Sequence, residues 1–115
     1  MEDFADAVEL SALDHIADTV VIEVSGEIDM ATAPCVIDFL RAHLPAAGRT
    51  LVLDLTKVTF FGSAGINVLL TLHSEVEPAG VRLRVVASTP AVLRPLEVTD
   101  LLRVFAVTSS VTDVG

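Results

Sequence analysis

The hydrophobic pattern is densest between Leu51 and Leu72, LVLDLTKVTFFGSAGINVLLTL, where an aliphatic run passes through a Gly-Ser-Ala-Gly turn into a second apolar stretch of a different period. Leu51, Val52, Leu53 and Leu55 form the nearly unbroken run expected of a parallel strand covered on both faces, with Asp54 the one polar interruption. After the turn, Ile66, Leu69, Leu70 and His73 recur at helical spacing and Val68 and Leu72 widen the apolar face, with Pro78 and Gly80 as stop signals. The spacing predicts a helix from about Ser63 to about Glu75, with the Ser63 hydroxyl at its N-cap or in its first turn.

The same reading covers the rest of the chain. Residues 1–7 read as a loose tail, and Val8 to Leu13 and Thr19 to Ser25 as two antiparallel strands joined by Asp14 to Asp18. Gly26 to Thr32 is a loop holding Asp29. Ala33 to His43 reads as a helix capped at Thr32 or Ala33, with Pro34 in the first turn, where proline is tolerated. In Val81 to Ala87 apolar residues alternate with Arg82 and Arg84, the pattern of a strand nearer an edge than Leu51 to Leu55. Ser88-Thr89-Pro90 opens a third helix, which Pro95 should kink or split by removing a backbone bond and crowding the preceding turn, and Arg103 to Val107 reads as a last strand. Such alternation of strands and helices predicts an α/β fold: one domain over residues 1–115, a mixed sheet of four or five strands, and helices mainly on one face.

A phosphate on Ser63 would meet the free N–H groups and the positive dipole end of the helix that follows, so this serine is chemically suited to phosphorylation. Taken alone, the residue reads first as a plain helix cap worth about 1 kcal/mol, and it is the resemblance below that favours phosphorylation. The segment Val58 to Leu70, together with Ser25-Gly26-Glu27-Ile28-Asp29, resembles the STAS domain of anti-sigma factor antagonists. In that family the turn reads Asp-Ser-Ser/Thr-Gly-Leu/Ile, and the first hydroxyl residue after the aspartate is phosphorylated. The resemblance implies Ser63 as phosphoacceptor, followed by Ala64, Gly65 and Ile66, with Asp29 on the acidic loop beside the turn. Partner-binding residues would then be Asp29, Phe61, Gly62, Ser63, Ala64, Gly65 and Asn67. The chain departs from the pattern in having Gly62 where the family has its acid, in carrying Pro95 inside the third helix, and in leaving only Thr108 to Gly115 after the last strand, enough for one turn at most.

Composition narrows the classes further. The net charge of −9 is uneven: residues 1–40 hold ten acids and no Lys or Arg, whereas residues 41–115 hold six acids and seven bases. Such a surface repels nucleic acid and anionic membranes and suits a basic partner protein, although it can serve solubility alone. No apolar run approaches a membrane span, the N-terminus is acidic where a signal peptide is basic, and Cys35 stands alone, which together point to the cytoplasm. His15, His43 and His73 lack metal-site spacing, so neither metal nor cofactor is expected, and His73 reads as a half-buried structural histidine.

What the resemblance implies is a non-enzymatic partner switch. The unphosphorylated protein would bind an anti-sigma factor that is itself a serine kinase with a GHKL-type ATP site; phosphate on Ser63 would block binding, and a PP2C-type phosphatase would restore it. An adaptor or scaffold of the same fold, with Ser63 unmodified, is the alternative, and Gly62 is its best support. A receiver domain phosphorylated at Asp54 lacks its acidic pair and its late lysine, since Lys57 is the only lysine. A serine hydrolase lacks its elbow, because Phe61 stands where that pattern wants glycine. Oligomeric state is left open.

Overall fold

The computed structural model describes residues 8–16 and 18–109, without the side chains of residues 13–16. The expected tail at residues 1–7 and the final residues 110–115 lie outside that description. Seven elements follow in order: β1 (Val8–Ile16), β2 (Thr19–Glu27), α1 (Ala33–Ala42), β3 (Thr50–Phe60), α2 (Gly62–Val76), β4 (Arg82–Val86) and α3 (Pro90–Val98). They build a four-stranded mixed sheet in the order β1-β2-β3-β4, with β1 antiparallel to β2 and the other two pairs parallel. β3 is therefore central and β4 outer, as the continuous and the alternating apolar patterns require.

Register explains how the strands share one core. Leu51 stands between Val20 and Leu83, and Leu53 between Ile22 and Val85, so these side chains and Leu55 face the same way. All three helices pack on that face, α1 through Val36 and Leu40, α2 through Ile66, Val68, Leu69, Leu72 and Val76, and α3 through Val92 and Leu96. Val21, Val52 and Val86 form a second, smaller buried group on the far face. Asp54 is buried there too, its Oδ1 accepting from the Thr56 N–H at 3.0 Å and hydroxyl at 2.8 Å. It lies in mid-strand on the face away from the helices, and Lys57 pairs with Glu23 at 3.5 Å, so the arrangement of a phosphorylated receiver aspartate is absent among the described residues.

The elements depart from sequence expectation in four places. The β1–β2 ladder continues past Leu13 to Ile16↔Thr19 across a bulge, and β3 runs on to Phe60 rather than stopping at Leu55. The third helix is not divided at Pro95 but runs from Pro90 to Val98. Val92 and Leu96 are buried on either side of the proline, and this packing holds a helix that loses one internal bond. The expected strand Arg103–Val107 is instead a series of turns closed by bonds such as Phe105 N–H to Leu101 O and Val107 N–H to Leu102 O, joined to β4 by the Val85 N–H bond to Phe105 O at 3.3 Å and by the parallel bridge Val86↔Thr108. The N–H groups of Phe105, Ala106 and Val107 are spent on these turns and not on a ladder, and Phe105 is buried in the core, where His73 meets its ring edge-on at 5.7 Å.

Candidate functional site

The strand-to-helix turn after β3 is set by two aromatic residues and two glycines. Phe61 turns inward and is 1% exposed, while Phe60 points outward at 53%. Gly62 adopts φ +57°, which side-chain-bearing residues disfavour, and reverses the chain into α2. The first helical bond, Gly65 N–H to Phe61 O at 2.9 Å, draws the helix over the Phe61 ring. A Cβ on Gly65 would lie 2.5 Å from that ring, so only glycine permits the approach. Phe61 and Gly65, both expected to bind a partner, are thus buried, and they shape the turn from beneath; the aromatic surface available to a partner is Phe60.

Ser63 is exposed, as its proposed role needs, but it is the second residue of α2 rather than its cap. Phe61 occupies the cap position, no side chain caps the helix, and the Ser63 hydroxyl bonds nothing among the described residues. The first backbone N–H groups of α2 lack helical acceptors, as at any helix start. The serine therefore stands at an open, positively polarised helix end without being engaged in it.

Two grooves meet at this residue. One, about 640 Å³, runs between the start of α2 and α3 and is walled by Phe60, Ile66, Ala91, Arg94, Pro95 and Val98. The other, about 530 Å³, runs between α2 and α1 past Met30, Pro34, Ile37, Arg41, Ala64 and Val68. Ser63 and Asn67, one turn apart, line both, so they form the crest between the grooves. Met30 (87% exposed), Phe60 and Val98 (81%) are three of the five large apolar side chains exposed among the described residues, and all three border these grooves. Single exposed apolar residues are ordinary; here three of them border grooves that share one polar crest.

Asp29 is held next to this turn but is occupied locally. The Ile28 N–H donates to Phe60 O at 2.8 Å, tying the loop to the end of β3. Asp29 Oδ1 accepts from the N–H groups of Ala31 and Thr32 at 2.9 and 3.0 Å, and its own N–H donates to the Thr32 hydroxyl. Thr32, the residue before α1, spends its hydroxyl on Glu27 O rather than on the helix. Asp29 lines neither groove. Among the described residues no cluster of His, Cys, Asp or Glu could hold a metal ion, and no helix is long and apolar enough to cross a membrane.

A family model described as the STAS domain matches residues 10–114. The chain belongs to the STAS domain family. Its sequence is 28% identical over 108 residues to the anti-sigma-F factor antagonist RsfB of Mycobacterium tuberculosis, covering 94% of this chain and 87% of that protein. The crystal structure of an anti-sigma factor antagonist from Mycobacterium paratuberculosis superposes with a TM-score of 0.83 at 34% identity, covering 94% of this chain and 91% of that one. The anti-sigma factor antagonist SpoIIAA in its unphosphorylated form superposes with a TM-score of 0.68 at 17% identity, over 89% and 88% of the two chains, a likeness of fold alone.

Within the STAS fold, the turn glycine of the motif has a packing reason in Gly65, and the motif's exposed positions are Ser63 and Asn67, with Ala64 half-buried beside them. The contribution of α3 to the surface was missed in the sequence. Its signal was present: Ala91, Arg94, Pro95 and Val98 fall at i, i+3, i+4 and i+7, a stripe distinct from the core positions Val92 and Leu96.

Proposed function

We propose that this protein is an anti-sigma factor antagonist that works by partner switching, with Ser63 as the switch. The observation that carries the reading is the position of Ser63, exposed and unbonded on the crest between two grooves with apolar rims. The anti-sigma factor antagonists among its relatives support the partner class. Unmodified, the surface docks onto an anti-sigma factor with serine kinase activity. That kinase transfers the γ-phosphoryl group of ATP to Ser63 Oγ, with loss of the hydroxyl proton and release of ADP. The phosphate adds about −1.5 to −2 charges, which a docked apolar rim would have to desolvate. A PP2C-type phosphatase hydrolyses the ester and returns the hydroxyl and inorganic phosphate. In this reading the protein is a cytoplasmic regulator and not a catalyst.

The test is a pull-down with wild type, Ser63→Ala and Ser63→Asp, together with intact-mass measurement after incubation with candidate kinases and ATP. The reading expects one protein partner held by wild type and Ser63→Ala and lost by Ser63→Asp, with one phosphate added only when Ser63 is present. Equal retention of that partner by all three forms would refute the switch. Gly62, in place of the family acid, favours a second reading, a STAS adaptor with a permanently unmodified serine. Phosphate gained by wild type and absent from Ser63→Ala would remove it.

A further inference from the structure

Each of the two grooves beside Ser63 contains one arginine, and the two are not equivalent. Arg41, on the α1 side, is committed: it holds Glu75 through two nitrogens, the shorter contact 2.6 Å, with Asp38 at 4.0 Å. The hydrogen bond to Arg41 holds the Glu75 carboxyl below its usual range. Arg94, on the α3 side, is exposed and makes no ion pair or hydrogen bond among the described residues. It is the one charged residue among apolar and uncharged groups lining a groove that also contains Ser63. Other charged groups near the crest are Asp38 and Arg41 across α2 and Asp29 in its loop, whose Oδ1 is taken by backbone donors. A planar guanidinium is the side chain best matched to a phosphate, which it can bind through two parallel N–H donors.

We propose that Arg94 is the intramolecular receptor for a phosphate on Ser63, so that modification fills the α2–α3 groove as well as charging it. The inference rests on the reading of Ser63 as phosphoacceptor. It adds that the dianion, once formed, is drawn to the α3 side, where a cation without an ion-pair partner among the described residues lines the same groove. The groove a partner would enter is then occupied by the modified side chain itself, and the arginine is withdrawn from any carboxylate the partner offers.

The experiment installs phosphoserine at position 63 during translation and follows its second ionisation by phosphorus NMR in the Arg94, Arg94→Gln and Arg94→Lys forms. Arg94 is exposed, so the variants should keep the fold, checked by unchanged thermal unfolding. A nearby cation favours the dianion, and the midpoint should lie about 0.5 lower with Arg94 than with Arg94→Gln, the lysine variant falling between. The difference should shrink as salt is raised. Coincident midpoints for Arg94 and Arg94→Gln at low salt would overturn the proposal. Because the phosphate is installed without a kinase, that failure would leave the partner switch untouched, and failure of the pull-down would leave the Arg94 pairing untouched.

Discussion

Gly65→Ala is the substitution for which the structure gives the clearest energetic expectation. The new methyl would lie 2.5 Å from the nearest Phe61 ring carbon and 2.6 Å from two others, well inside the roughly 3.5–4.0 Å at which carbon atoms attract. The ring cannot swing into solvent, because it is 1% exposed and belongs to the main core. Relief therefore needs about 1 Å of movement by the ring or by the first turn of α2. Overpacking of this kind costs about 1–3 kcal/mol, against which alanine recovers at most about 1 kcal/mol of helix propensity. Because the ring is fixed in the core the upper part of that range, about 2–3 kcal/mol, applies, so the expected net loss is about 1–2 kcal/mol, or a fall in Tm of about 4–8 °C for a domain of this size. Urea unfolding should show a lower midpoint at unchanged slope. Phe61→Leu should be less harmful on the Gly65→Ala background than on wild type, with a coupling of about 1 kcal/mol in a double-mutant cycle. An alanine variant as stable as wild type, with additive double-mutant energies, would refute the view that the motif glycine exists to seat this ring.

Three further outcomes follow from the same geometry. Ser63→Ala should change urea stability by less than about 0.5 kcal/mol, because the hydroxyl makes no bond; a loss near 1 kcal/mol would show that it caps α2 after all. Gly62→Ala should destabilise by about 1–2 kcal/mol, since φ is +57° and a Cβ would press the exposed Phe60 ring at 3.2 Å, while Gly62→Asn should cost less because asparagine tolerates that backbone; equal costs measured by thermal unfolding would contradict a backbone origin. The Glu75 carboxyl is held below its ordinary range chiefly by its hydrogen bond to Arg41, so its contribution is present above the unfolded pKa of about 4.3 and is lost as pH falls through the lower folded value. The stability difference between wild type and Glu75→Gln should thus be small but positive near neutrality and vanish in acid, and a difference that grew with acidity in a pH series of unfolding curves would reverse the sign of the argument.

How far the sequence was legible depended on whether the deciding interaction was local. The change from the continuous apolar run Leu51–Leu55 to the helical spacing of Ile66–Leu72 marked the strand, the turn and the helix, because both patterns are carried by neighbouring residues. Arg103–Val107 has the composition of a strand, yet its backbone closes turns on itself, a choice made by the burial of Phe105 against α2 and not by propensity. Of the kink or split expected at Pro95, the split does not occur: one helix runs from Pro90 to Val98, with Val92 and Leu96 packed in the core on either side of the proline. At the site, the motif indicated Ser63. Which of Phe60 and Phe61 faces outward was decided by the turn, and the part played by α3 required knowing that the chain returns beside α2 after β4. No property confined to residues 58–70 could reveal Arg94.

The signs of the competing terms at Ser63 give the proposed switch a way to work without refolding. An anion near the start of a helix is favoured by the dipole and the free N–H groups by about 0.3–1 kcal/mol, so a phosphate on this serine tends to stabilise the fold it modifies. The same anion beneath a docked partner must be taken out of water beside Phe60 and Val98, and stripping such a charge of solvent without full pairing costs several kcal/mol. At 1.4 kcal/mol per tenfold in affinity, a penalty of about 4 kcal/mol weakens binding roughly a thousandfold. The two effects are separated because the Ser63 side chain is exposed and makes no bond among the described residues. A serine engaged in capping or buried against α3 would have coupled modification to folding, and the change in binding would then have come at the expense of the helix itself.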